Sequence, residues 1–189
     1  MSTHGTRFRA GFTIIELLIV IAIIGLLSSL VIFQFAGSNN PNILRSAQSI
    51  LIEDIRTTMS WAQSGKREST TGTVPHGYGL VLYPGTDTYT IYADLNADNQ
   101  YTKEPDDAVV KTVSFEEDEL LSNMVIESCT PEINQEGNPP LCDLFITRSN
   151  GIIFVNAAQN NDLDIVIKHL KSQHIETITL HRTTGQLTE

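Results

Sequence analysis

Residues 7–35 read RFRAGFTIIELLIVIAIIGLLSSLVIFQF. Arg7 and Arg9 precede Gly11, and an apolar run then continues to Phe35, broken by one acid, Glu16. From Leu17 to Phe33 there are 17 residues without a charge. With Phe12–Ile15 and Phe35 included, the run predicts a helix of about 24 residues, which at ~1.5 Å per residue covers a hydrocarbon core of about 30 Å. A carboxylate inside such a helix costs about 3 kcal/mol at the least on insertion scales, so Glu16 reads as a functional residue. Few positive charges follow the run closely. The positive-inside rule therefore predicts a cytoplasmic N-terminus, with residues 40–189 outside. An ordinary secretory signal would be cut after the run, near Ala36-Gly37-Ser38. The more specific feature, glycine then Phe12 then Glu16, lies before it.

The 189 residues suffice for one domain beyond this helix. Twelve Lys+Arg against 22 Asp+Glu give a net charge of −10, and loss of residues 1–11 with Arg7 and Arg9 would make it 10 − 22, or −12. An acidic body repels phosphate backbones, so nucleic acid is a disfavoured partner. Lys168, His169, Lys171, His174, His181 and Arg182 gather near the C-terminus, where a mixed-charge strand surface is favoured over a DNA site. Cys129 and Cys142 flank TPEINQEGNPPL. In an exported domain they predict a disulfide, worth roughly 3 kcal/mol for a loop of about 14 residues in the chain-entropy model. No spacing of the CxxC kind supports zinc.

After the break GSNNPN (37–42), Asn40 suits an N-cap and Pro41 a first helical turn. Leu44, Ala47, Leu51, Ile55, Met59 and Ala62 then recur at helical spacing through Ser64, predicting a stripe that packs on a sheet. The expectation is one N-terminal helix, kinked or melted near Pro41, where either a hinge or a plain helix boundary at the membrane surface would serve. Trp61 reads as core or edge packing. Strands are predicted at 78–83, 88–93, 107–115, 121–128, 144–149, 152–157, 164–170 and 175–182. Asn150-Gly151 predicts a tight hairpin pairing Ile146 with Val155, with Leu144, Ile146, Ile153 and Val155 on one face. The last hairpin is expected to pair Ile167 with Ile178 and His169 with Glu176. The acidic run 116–119 reads as a solvated turn. Asp94, Asn96 and Asp98 match positions 1, 3 and 5 of a calcium loop, but Asn99 stands where glycine is usual and Pro105 where a bidentate acid is required. An EF-hand is thereby excluded. An Asx-rich turn bonding its own backbone is the favoured reading, and a looser calcium site the alternative; no other cofactor is expected.

The string Gly11-Phe12-Thr13-Ile14-Ile15-Glu16-Leu17-Leu18 resembles the type IV prepilin family, which includes the type II secretion pseudopilins. The resemblance implies that prepilin peptidase cuts between Gly11 and Phe12 on the cytoplasmic side and N-methylates Phe12. Glycine offers that protease an unhindered backbone. Cutting there leaves the apolar helix attached and creates an α-ammonium at Phe12. Such a group on a neighbouring subunit could pair with the Glu16 carboxylate and set the axial register of a helical filament. The implied partners are prepilin peptidase, other pilins or pseudopilins, the inner-membrane assembly platform and membrane lipid. Segment order, Tyr92-Ala93-Asp94-Leu95-Asn96 and Thr183-Thr184-Gly185 resemble the GspH/FimT group of minor pilins and pseudopilins. Some members of that group bind DNA through a Gly-Arg-x-Arg-like ending; here Gly185-Gln186-Leu187-Thr188 lacks those arginines.

The expected fold is α+β, a long N-terminal transmembrane helix packed on a compact antiparallel β domain of six or seven strands. The expected division is a leader at 1–11, a membrane and filament-core helix at 12–36, a kink and second helical half at 37–64, and a β domain at 65–189. The five histidines show no metal or triad spacing, and no GxSxG, phosphate loop or HExxH occurs. An enzyme is not expected. The expected function is that of a minor pilin or pseudopilin. The alternative is a single-pass membrane-anchored binding module of a competence, DNA-uptake or adhesion system.

Overall fold

The computed structural model describes residues 13–35, 40–102, 106–117, 121–133, 140–158 and 161–189; side chains of 30–35 and of 40–41 lie outside that description. The chain divides into two compact units, Met1–Asn39 and Asn40–Glu189.

The first unit contributes helix α1 (Ile14–Phe35), 22 residues long. Its side chains from Ile14 to Ser29 are exposed, Ile14 at 82 % and Leu26 at 67 %. Among the described residues no helix is long and apolar enough to cross a membrane. The expected transmembrane span is therefore not met among the described residues. Pro41, near which the kink or melt is predicted, is itself helical in the first turn of the next helix, and residues 36–39 before it lie outside the described residues.

In the second unit, α2 (Asn40–Ser64) carries Pro41 in its first turn. It ends in a Schellman motif. Gly65 adopts φ 62°, its N–H bonds the Ala62 carbonyl at 3.2 Å, and the Lys66 N–H bonds the Trp61 carbonyl at 3.1 Å. The predicted stripe is buried at Leu44, Ala47, Leu51, Ile55 and Ala62, while Met59 and Trp61 are half-buried against the core. Ile52 and Thr58 widen the stripe, as a helix facing a broad core requires.

Nine strands follow, all antiparallel: β1 (Gly77–Leu82), β2 (Thr88–Asp94), β3 (Asp107–Ser114), β4 (Met124–Thr130), β5 (Cys142–Thr147), β6 (Ile153–Val155), β7 (Leu163–His169), β8 (Ile175–His181) and β9 (Gln186–Thr188). Among the described residues that is more than the six or seven expected. The short β9, which the sequence pattern does not signal, pairs with the end of β8 after the turn at Gly185. The strands form two sheets, β3-β2-β1-β5-β6 and β4-β7-β8-β9, and α2 packs on β1, β5, β7 and β8, so one helix covers both. The core combines the inner faces of the two sheets (Leu80, Ile91, Leu144, Ile165 and Leu180 among them) with the α2 stripe. Asp54 of α2 accepts the Tyr89 phenol at 2.7 Å and the Lys111 ammonium at 3.1 Å, tying β2 and β3 to the helix.

Both predicted hairpins form with the pairing displaced by two residues. Ile146 pairs with Ile153 and Leu144 with Val155, leaving 147–152 as the loop. There Asn150 Oδ1 accepts the Thr147 hydroxyl at 2.5 Å, in place of a two-residue Asn-Gly turn. In the last hairpin Ile165 pairs with Ile178 and Ile167 with Glu176. The expected His169–Glu176 pair is therefore absent. His169 is buried at the strand end, its Nδ1 2.8 Å from the Ser172 hydroxyl and accepting the Ser172 N–H at 3.1 Å. A shift of two preserves which face each side chain takes, so Leu144, Ile146, Ile153 and Val155 remain together in the core.

Cys129 in β4 and Cys142 in β5 form a disulfide, Cα–Cα 6.2 Å, which ties one sheet to the other. Replacing both cysteines by alanine should lower unfolding stability by roughly 3 kcal/mol if the crosslink acts chiefly on the unfolded chain. Denaturant titration of the oxidised protein beside the double variant measures that difference.

Candidate functional site

The segment that carries the expected processing and assembly chemistry starts α1. Gly11 and Phe12 lie outside the described residues. Thr13 and Glu16 form a reciprocal cap. The Glu16 Oε2 accepts the Thr13 N–H at 3.0 Å and the Thr13 hydroxyl at 2.9 Å, and the Thr13 hydroxyl oxygen accepts the Glu16 N–H at 3.3 Å. This is the capping box, in which a Thr at the N-cap and a Glu three residues on satisfy each other's orphan donors. It opens the helix one residue after Phe12, so a cut after Gly11 would leave a single residue before the cap. Beyond it the exposed side chains of α1 are apolar through Leu27 apart from Glu16. Thr13 was missed as a partner for Glu16, although the T-x-x-E spacing states it.

The second group of residues lies on the outer face of the β1-β2-β5 sheet. Alternation sends Tyr92, Asp94, Asp143 and Phe145 away from α2, yet all four are buried. Glycines at 77 and 79 make room: a Cβ at Gly79 would run into the Tyr92 ring, and one at Gly77 into Phe145. The rings of Tyr92 and Phe145 stack with centroids 6.4 Å apart, and Tyr101 closes on Tyr92 at 5.0 Å.

Within this layer the predicted calcium residues bond their own loop. Asp94 accepts the N–H groups of Ala97 at 2.6 Å and Asn99 at 3.2 Å. Asn96 Oδ1 accepts the Asp98 N–H at 3.1 Å, and Asp98 Oδ1 the Gln100 N–H at 3.0 Å. Ala97 and Asn99 take positive φ, as a succession of Asx turns requires. Among the described residues no group of three or more His, Cys, Asp or Glu side chains could hold a metal ion. Asp94, Asn96 and Asp98 thus each accept backbone N–H groups in the pattern of successive Asx turns.

Two buried acids that belong to no sequence motif complete the layer. Asp107, directly opposite Asp94 in the ladder, accepts the Thr102 N–H at 2.6 Å. Asp143 accepts the Tyr92 phenol at 2.8 Å and the Tyr101 N–H at 2.7 Å. Burial, with Asp94 opposite, pushes Asp107 up to about 6. Burial likewise pushes Asp143 up to about 7, with Asp107 and Asp98 adding to the rise. An acid inside the apolar run Cys142–Thr147 was the available signal for Asp143.

The C-terminal basic group is partly neutralised. Lys168 pairs with Glu127 at 3.0 Å, His181 with Asp162 at 3.0 Å, and Asp162 also accepts the Arg182 N–H at 2.9 Å.

Replacing Asp94 by alanine orphans two loop N–H groups, at roughly 1–3 kcal/mol. Thermal denaturation should show that loss, while added calcium leaves the melting temperature of the unaltered chain unchanged.

No curated protein and no solved structure matches the chain. Residues 6–32 match a family model described as the prokaryotic N-terminal methylation motif, so the chain carries a type IV pilin-like prepilin signal, which implies processing by prepilin peptidase, membrane anchoring and assembly with other pilins.

Proposed function

We propose that the protein is a minor pilin or pseudopilin of the GspH/FimT kind, a structural subunit of a type IV pilus or type II secretion filament. The observation that carries this reading is the methylation-motif match over residues 6–32, with one acid, Glu16, in the exposed apolar helix that follows the cut site. Prepilin peptidase cleaves after Gly11 and methylates Phe12. The chain is then held in the inner membrane by α1, N-terminus inside and residues 40–189 outside. On assembly the helix passes from lipid to the filament core, and lateral contacts replace lipid around the residues now exposed.

The Thr13–Glu16 cap gives the carboxylate a role in each state. In the lone subunit Glu16 is satisfied by its own first turn, which lowers the cost of holding it in an apolar setting. In the filament the α-ammonium of a neighbouring Phe12 approaches the same carboxylate, and the charge pair sets the axial step. The Cys129–Cys142 disulfide fits a domain on the oxidising side of the membrane.

Two measurements test the reading. Intact mass and N-terminal sequencing should find N-methyl-Phe12 in cells with prepilin peptidase and the uncut chain in cells without it. A mature terminus after residue 36 in both would overturn the assignment. Glu16→Ala should leave membrane fractionation unchanged and reduce filament incorporation at least tenfold; normal incorporation would remove the register role.

A further inference from the structure

The outer face of the β1-β2-β5 sheet is covered by the segment 95–102, and carboxylates hold that cover down. Asp143, 2 % exposed at the second position of β5, joins three elements: its Oδ1 accepts the β2 phenol of Tyr92, its Oδ2 the N–H of Tyr101 in the segment, and its own N–H donates to Asn156 Oδ1 at 2.8 Å beyond β6. The groups facing it are Tyr92 from β2, Tyr83 from the end of β1, Tyr101 and Asp98 from the segment, and Asp107 from β3. These are acids and phenols; further along the same face lie Asp94, opposite Asp107, and His76, whose ring stacks on Phe145 at 6.4 Å. Among the described residues the lysine ion pairs lie elsewhere, on Asp54 and Glu127.

We propose that residues 95–102 form a proton-sensitive lid over this face, with Asp143 as the group whose protonation favours the closed state. The proton balance is local. When Asp143 takes up a proton at Oδ1, the Tyr92 hydroxyl rotates from donor to acceptor of the new O–H, and Oδ2 continues to accept the Tyr101 N–H. The lid contact therefore exists in both states. Only the ionised state buries a negative charge beside Asp107 and Asp98, and lifting the lid relieves it by admitting water.

The direction follows from proton binding. With the lid closed, burial pushes Asp143 up to about 7; with it open, the group returns to an ordinary carboxylate value near ~4. Between those limits the closed state binds more protons, so opening grows as pH rises, by up to about tenfold per unit, and levels off above about 7. Asp107, pushed up to about 6, acts in the same direction. Burial raises Tyr83 and Tyr92, so the phenols stay neutral throughout this window.

Amide hydrogen exchange of the full chain in lipid nanodiscs, corrected for the intrinsic pH dependence of exchange, tests this at the amides of 96–102. Protection should fall by at least tenfold between pH 5 and 7 and level off above that. Asp143→Asn, which donates to Tyr92 and accepts from Tyr101 as the neutral acid does, should lose at least half of that fall on a logarithmic scale. Protection constant with pH in the unaltered chain, or a fall unchanged in Asp143→Asn, would overturn the proposal. Tyr92→Phe keeps the carboxylate and removes a donor to its ionised form. Its fall should persist with the upper limit moved to higher pH, and an unmoved limit would count against the lid even if Asp143→Asn fails to fold.

Discussion

A carboxylate taken out of water must find donors, and much of this structure is arranged around that constraint. Glu16, exposed here but set in an apolar helix, already has them in Thr13 at the first turn. Asp54, on the buried side of α2, finds the Tyr89 phenol and the Lys111 ammonium and so joins helix to sheet. Asp94, Asp107 and Asp143 find backbone N–H groups of one segment and thereby dock it on the sheet. In each case the bond that satisfies the charge also fixes a piece of backbone. The described acids therefore divide into exposed ones and a few buried ones that specify geometry.

The two faces of the β1-β2-β5 sheet show different solutions to burial. The inner face packs against α2 with aliphatic side chains, by dispersion and the hydrophobic effect. The outer face is aromatic and acidic, made possible by glycines at 77 and 79, and covered by irregular chain. Irregular chain brings unpaired backbone groups with it, and the buried carboxylates accept several of its N–H groups. This explains why β1 and β5 are buried along their whole length although they lie in an antiparallel sheet. The second sheet is joined to the first by α2 and by the Cys129–Cys142 crosslink.

Much of this was legible in the residues. The stripe from Leu44 to Ala62, the positions of eight strands and the cysteine pair follow from period and spacing, which are local properties. The hairpin registers were not legible. Asn150-Gly151 favours a two-residue turn, but the inner faces of β5 and β6 are satisfied equally by a displacement of two, and the side-chain bond from Thr147 to Asn150 selects the longer loop. The same displacement in the last hairpin buries His169, where a surface charge pair was expected. At 94–99 the residue types fit either a cation or backbone donors, and the tertiary structure shows the turn that brings the Ala97 and Asn99 N–H groups onto Asp94.

The sequence by itself determined the prepilin signal over residues 6–32, the apolar helix with its one acid, and the alternation that sorts side chains into faces. Each depends on neighbours within a turn of helix or a few strand positions, so linear order carries the information. Only the tertiary structure decided the division into two sheets under one helix, the pairing registers, and the meeting of Asp94, Asp107 and Asp143 beneath one segment. Those residues stand up to 49 positions apart, from 94 to 143, and what unites them is the shared need of a buried charge and a buried backbone N–H for each other, a requirement that exists only once the chain has folded.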